Sequence, residues 1–252
     1  MCTLTILPGC DESGAEYCCR LAFNRDEEHT RPPEQPPTIE VFGNRRAILP
    51  RDPGGGGTWL AASDVGLAFA LLNVNLPDKS TTLGGRSRGV VIPSLLSEDS
   101  MEAVVGMLPE VTREVLRPFR LVVTDGQRWL EAIGQSGEVS CSTHALSKPI
   151  MRSSSGLGDD IVEAPRRNLF DSMFKSDHRI QSSVQDAFHA SRIPDHDEQS
   201  VDMLRDDART VSTAVITLSG MEIVMEYTPG APREQGVGIR HALVRTQVPG
   251  AA

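Results

Sequence analysis

The sequence predicts an α+β fold in which helices pack on antiparallel sheets. Three observations point there. Strand-length apolar stretches separated by tight-turn residues fill both ends of the 252-residue chain. Helical apolar spacing is confined to the middle. No internal repeat or low-complexity linker divides the sequence, so a single domain over residues 1–252 is expected.

The elements follow in order. Residues 2–7 alternate weakly and stop at Pro8-Gly9, a turn signal. Residues 16–23 form a second strand, closing at the charged run Asn24-Arg25-Asp26-Glu27-Glu28. The proline-rich stretch 31–37 reads as an extended loop. Strands at 39–42 and 46–49 flank Gly43-Asn44, and strands at 58–62 and 66–72 flank Ser63-Asp64-Val65. Both pairs read as hairpins. Residues 87–96 carry a weak helical signal that Pro93 interrupts. Asp99-x-x-Glu102 has the form of a capping box and opens a helix with Met101, Val104, Val105 and Leu108 on its apolar face. A third hairpin is expected at 120–124 and 128–133 around Asp125-Gly126-Gln127. Leu169, Phe170, Met173 and Phe174 give helical spacing over 166–176, as a core stripe. Residues 191–207 are polar, a loop or short helix. A last hairpin spans 210–218 and 221–227 around Ser219-Gly220, and the tail after about 230 shows little pattern and is expected to be loosely ordered.

Composition narrows the function. Hydrophobic residues make up 39%, enough for a sizeable core, and the net charge of −9 argues against non-specific nucleic-acid binding. No apolar run approaches the ~18 residues of a membrane span. No basic segment followed by an apolar stretch opens the chain, so no signal peptide and no stable membrane insertion are expected. The five cysteines, Cys2, Cys10, Cys18, Cys19 and Cys141, are odd in number and include a vicinal pair, which does not look like a disulfide framework. A reducing, cytoplasmic location fits. There is no CxxC, and the six histidines show no HxH or HxxxH spacing, so neither a metal site nor a cofactor is expected. A redox role for Cys18-Cys19 is disfavoured, because adjacent strand residues point apart. An acidic chain of this size is compatible with a monomer or a dimer.

The most informative residue is Cys2, directly behind Met1. Removal of Met1 would leave one residue with both a thiol and a free α-amine, of reference pKa near ~8.5 and ~8. Such a residue carries its own general base. The alternative is a buried core cysteine.

Four features could cooperate with it. Asn24-Arg25-Asp26 follows an apolar strand; an arginine there would stabilise a thiolate and an aspartate would orient the ammonium, or the run is a solvated turn. Arg51-Asp52-Pro53-Gly54-Gly55-Gly56-Gly57-Thr58-Trp59 is either a substrate-lining loop, with Gly55, Gly56, Thr58 and Trp59 as candidates, or a structural turn. It lacks the lysine and the following helix of a phosphate-binding loop. Asn73 ends an apolar strand, as an oxyanion donor or a turn asparagine. Arg209-Thr210-Val211-Ser212-Thr213 opens the last hairpin, where Arg209 could line a pocket.

Together, Met1-Cys2-Thr3, Asn24-Arg25-Asp26-Glu27, the glycine run through Leu60, and Gly66-Leu67-Ala68-Phe69-Ala70-Leu71-Leu72-Asn73 resemble the NRDE proteins, which include the transport and Golgi organisation 2 proteins. A more distant likeness is to the cysteine N-terminal nucleophile hydrolases, such as bile-salt hydrolases and penicillin V acylases. That likeness implies a four-layer αββα sandwich with Cys2 at the end of a central strand. It implies that Cys2 attacks a linear amide or related acyl carbonyl, that Arg25 tunes the thiolate, that Asp26 positions the amine, and that Asn73 with a backbone N–H holds the oxyanion. Two departures stand out. Adjacent strand residues face opposite sides, so a regular strand would let only one of Arg25 and Asp26 reach Cys2, with Arg20 as the substitute arginine. Gly156-Leu157-Gly158-Asp159 puts an acid where relatives carry an amide, so Asp159 either binds the α-ammonium or marks an altered site. The family likeness also implies an alternative, a non-catalytic carrier or trafficking factor handling haem or lipid and acyl-CoA. For haem, His29, His144, His178, His189, His196 and His241 are the available ligands.

Overall fold

The fold is a computed structural model describing residues 2–10, 16–75, 86–113, 116–175, 182–234 and 236–246. Met1, His178 and residues 247–252 lie outside that description, as do the side chains of Cys10 and Cys18.

In chain order, β1 (Cys2–Cys10) and β2 (Glu16–Glu28) begin one sheet. β3 (Gln35–Phe42), β4 (Arg45–Arg51), β5 (Leu60–Ser63) and β6 (Ala68–Asn73) begin a second. Helix α1 (Met101–Val111) follows, and β7 (Phe119–Thr124), β8 (Arg128–Gln135) and β9 (Glu138–Ala145) complete the second sheet. β10 (Ile150–Ser154), α2 (Asp159–Met173) and α3 (Ser182–His189) lead back to the first, which β11 (Ala208–Leu218), β12 (Glu222–Pro229) and β13 (Ile239–Val244) finish. Among the described residues the sheets have the orders β10-β1-β2-β11-β12-β13 and β3-β4-β5-β6-β7-β8-β9, with antiparallel pairing within each.

Alternation builds the layers. Leu4, Ile6, Leu21, Phe23, Ala214 and Ile216 from the first sheet meet Ile48, Leu60, Ala70 and Val122 from the second in one buried core. The second sheet turns Phe69, Leu121 and Val123 to Val104 and Leu108 of α1. The first turns its other face to α2 and α3, where Met151 packs with Phe170 and Phe188. The result is the expected four-layer αββα sandwich. No helix among the described residues is long and apolar enough to cross a membrane.

The expected hairpins form, Gly43 taking φ 62° at the first. Several expectations need correction. The charged run Asn24-Arg25-Asp26-Glu27-Glu28 is not a turn: β11 extends far enough to pair with it as far as Glu28. The cap of α1 is Ser100, whose hydroxyl accepts the Ala103 N–H at 3.2 Å, while Asp99 instead pairs with Arg45. Residues 88–90 and 93–95 are short 3₁₀ turns in place of a helix. Helix α2 starts at Asp159, ahead of Pro165, because Val162, Arg166 and Phe170 form one buried stripe across the proline and Asp159 and Asp160 sit favourably in its first turn. The stretch 191–207 holds no helix, and the one before it is α3. Beyond 230, β13 pairs along β12, so that part of the tail is ordered as an edge strand.

Candidate active site

β1 lies between β10 and β2, and its first residue faces Ser154 on one side and Arg25 on the other. Cys2 is therefore at the head of an inner strand. It is only 8% exposed, yet it lines a pocket of about 280 Å³ at the end of the two sheets. Arg25, Asp26, Thr58, Trp59 and Asn73 line the same pocket.

Arg25 and Asp26 both line the Cys2 pocket, from opposite faces of β2. Arg25 follows Leu21 and Phe23 onto the inter-sheet side. Its guanidinium lies 4.3 Å from the centre of the Trp59 ring and donates to Glu34 at 2.9 Å and Glu27 at 3.1 Å. Asp26 follows Asn24 onto the helical side. Its carboxylate accepts from the Thr210 hydroxyl at 2.7 Å and stands 3.9 Å from the Arg166 guanidinium. Its backbone N–H favours the Cys2 thiolate, a smaller effect than the burial that raises the thiol. Adjacent strand residues do face opposite sides: Arg25 lies on the inter-sheet side with the thiol and the Asp26 carboxylate on the helical side, while both line the pocket. The substitute Arg20 is excluded, since it bonds Gln185 and Asp186 on α3.

Burial dominates the titration of both groups. It pushes the Cys2 thiol up, against the opposing pull of the amino-terminal charge and Arg25. The Asp26 carboxyl is raised for the same reason, against the opposing charge of Arg166. The expected lowering of the thiol by a nearby arginine is present but loses to desolvation.

Asn24 does not line the pocket. Its amide donates to the carbonyls of His189 at 2.8 Å and Val201 at 3.0 Å, which leaves its oxygen to accept from His189 Nδ1 at 2.9 Å. His189 Nε2 is then the acceptor for the Thr5 hydroxyl at 2.8 Å, and that hydroxyl in turn accepts from Gln185 at 2.8 Å. This closed network fixes α3 and the following loop on the first sheet. Sequence reasoning took Asn24 for a site residue because it sits beside Arg25, but it lies one step in from the site, across from Thr3, where α3 and the following loop take up its amide.

Asp159 is not beside Cys2 in role: its carboxylate accepts from the Ser155 N–H at 2.7 Å and from the Asn75 backbone and side chain at 3.2 and 3.1 Å. It ties the turn between β10 and α2 to Asn75, just past β6. Arg209 pairs with Glu234 at 2.6 Å and lines a different cavity. Gly55 and Gly56 lie in the turn closed by Asp52 and do not line the Cys2 pocket. Gly57 does: a Cβ there would fall 2.4 Å from the Gly89 carbonyl, so glycine lets the two loops touch, with Thr58 N–H donating to Gly89 O at 3.0 Å. Asn73 lines the pocket, although it has the strand parity of Leu71 and is cross-strand to Phe119.

Arg31, Asp52, Arg88 and Arg117 also line the pocket and were not singled out from sequence. Arg88 lies in the stretch whose helical signal was weak, and only the Gly57 to Gly89 contact brings it to Cys2. A second cavity of about 500 Å³ shares Arg25, Glu27, Glu28 and Arg31 with the first and is walled by Pro32, Pro33, Pro36, Val211 and Tyr227. Among the described residues no group of three His, Cys, Asp or Glu is arranged to hold a metal ion. Cys2 and Cys141 are free thiols.

This architecture, with a cysteine at the head of an inner strand, is that of the N-terminal nucleophile hydrolase fold. Solved structures agree. Penicillin V acylase from Agrobacterium tumefaciens aligns over 90% of this chain and 82% of its own at 12% identity and TM-score 0.50. The Caenorhabditis elegans orthologue of N-acylethanolamine-hydrolyzing acid amidase aligns over 85% and 92% at 9% identity and TM-score 0.54. The C2A mutant of conjugated bile acid hydrolase from Clostridium perfringens aligns over 98% and 97% at 11% identity and TM-score 0.52. At such identities the likeness is one of fold. The chain itself belongs to the Transport and Golgi organisation 2 family, whose model matches residues 1–221. No curated protein matches it in sequence.

Proposed function

We propose that the protein is an N-terminal-cysteine hydrolase that cleaves a linear amide or related acyl bond. The observation that carries this reading is Cys2 itself, heading an inner strand and lining a polar pocket, with Arg25 paired across from it and Asp26 lining the same pocket. Three neighbours of the same fold are named as an acylase, an amidase and a hydrolase, which supports it further.

In this reading Met1 is removed and the Cys2 amine takes the thiol proton. Sulfur attacks the substrate carbonyl, an S–C bond forms, and the carbonyl electron pair moves onto oxygen. Asn73 supplies a donor to that oxyanion. Collapse breaks the C–N bond, and the leaving nitrogen takes the proton from the α-ammonium. Water then hydrolyses the thioester. Arg25 favours the thiolate against the desolvation that opposes it, and Asp26 orients the ammonium.

Intact-mass analysis and an electrophilic acyl probe test this. Loss of Met1 and of labelling in Cys2→Ala is expected; a mature chain that keeps Met1 would end the mechanism. The second cavity, walled by prolines, Val211 and Tyr227 with His29 at its edge, favours a second reading, a non-catalytic carrier of an apolar ligand such as haem or a lipid or acyl-CoA. Saturable binding of haem or fatty acyl-CoA that survives Cys2→Ala, without turnover, selects that reading.

A further inference from the structure

Four arginines among the described residues line the Cys2 pocket, and they are not equivalent. Arg25 is bonded to Glu34 and Glu27, and Arg31 to Asp52 and Glu27. Among the described residues, every acid that pairs with an arginine in the pocket pairs with one of these two. Arg88 instead donates to a neutral group, the Pro118 carbonyl, at 3.1 Å. No described carboxylate pairs with Arg88 or with Arg117. The two arginines repel each other, and burial plus that repulsion holds Arg88 down to about 10. Their backbones are tightly held. Arg88 directly precedes Gly89, which touches Gly57, and its carbonyl accepts from buried Val91 N–H at 3.0 Å, while Arg117 follows buried Leu116, its N–H donating to Arg86 O at 3.2 Å. A chain of net charge −9 that brings two arginines with no described carboxylate partner into the pocket of its nucleophile is arranged for a negative guest.

We propose that Arg88 and Arg117 form an anion subsite that takes a carboxylate or phosphate group of the acyl compound reacting at Cys2. The assignment deepens the hydrolase reading and rests on it for the acyl chemistry. Guanidinium forks bind such groups through paired charge-assisted hydrogen bonds, which orient the guest as well as hold it. An anion there also relieves the repulsion between the two arginines and places the rest of the guest over Cys2.

Charge-selective alkylation of the full-length protein tests it. Iodoacetate and iodoacetamide carry the same leaving group and differ in charge. Modification at Cys2 is followed by peptide mass spectrometry. The iodoacetate-to-iodoacetamide rate ratio should exceed that of free cysteine, and should fall by about tenfold in Arg88→Gln and in Arg117→Gln, the loss of one charged contact. Arg88→Lys should keep most of it. In the unmodified chain, inorganic phosphate or acetate at constant ionic strength should slow iodoacetate. Protection by phosphate alone assigns a phosphate-bearing guest, and by acetate alone a carboxylate. A ratio equal to that of free cysteine, with protection by neither anion, overturns the proposal without any variant. A high ratio with no amide hydrolysis sinks the hydrolase reading and leaves the subsite standing. Hydrolysis with a flat ratio does the reverse.

Discussion

Arg25 stands directly across from Cys2 in the pairing of β1 with β2, and its guanidinium lies over Trp59 on the same inter-sheet side as the thiol. The Cys2 thiol is raised by burial, so at neutral pH it is protonated while Met1 is attached. Alkylation by iodoacetamide should then be slower than that of free cysteine at pH 7, with its inflection above the usual thiol value of about 8.5. Arg25→Gln should move the inflection further up, because a charge that favours the thiolate is lost. An inflection below that of free cysteine in the Met1-bearing chain would refute this electrostatic account.

Asp26 depends on Arg166. That guanidinium is almost wholly buried, donating to Thr3 at 2.8 Å, Gln199 O at 3.0 Å and Ser200 O at 2.7 Å, and lies 3.9 Å from the Asp26 carboxylate. Arg166→Met should destabilise by about 3–5 kcal/mol, as expected when one partner of a buried pair is removed. Adding Asp26→Asn should restore part of that, since the orphaned charge is gone. Urea denaturation of the two single variants and the double variant measures the coupling, and strict additivity would show that the two groups are independent.

The site was legible where one strand carried it. Cys2, Arg25 and Asp26 lie on neighbouring strands, and parity with Phe23 and Asn24 gives each a face. Asn24 was misread because proximity in sequence was weighed above its register opposite Thr3, where α3 takes up its amide. Arg88 and Arg117 were invisible, because a contact between two glycines far apart in the chain brings one of them in. The same holds for the fold. Hairpins with glycine turns announce themselves, whereas β9 is polar and largely exposed, so its alternation leaves no pattern. β10 is five residues long, too short for a period to show.

Gly57 should tolerate no side chain. A Cβ would fall 2.4 Å from the Gly89 backbone, which cannot swing aside as a flexible side chain would. Gly57→Ala is expected to cost roughly 1–3 kcal/mol, the range of overpacking. It should also displace the turn that carries Arg88 and so lower the iodoacetate preference at Cys2. Gly106→Ala, where a Cβ meets nothing within 4 Å, serves as the control. Thermal unfolding and the alkylation ratio check both halves, and a Gly57→Ala chain as stable and as selective as the control would contradict the contact.

His189 should make the chain sensitive to acid. It is fully buried, neutral, and held down to about 3 from 6.5 by burial, with Arg20 and Arg166 adding to the effect. Its Nε2 accepts from Thr5, so a second ring proton has no place to go. The unfolded state takes up that proton near pH 6.5 while the folded state resists it. The stabilising contribution is therefore complete above about 6.5 and drains away as pH falls toward about 3. The full swing is on the order of 4–5 kcal/mol. Asp26 acts in the other sense: its raised carboxyl favours the folded state at low pH, so it offsets part of the loss. Urea midpoints between pH 7 and 4 should fall in the native chain and fall less steeply in His189→Gln, which removes the titrating ring. Equal slopes for the two proteins would mean that the histidine is not the group that links protons to folding.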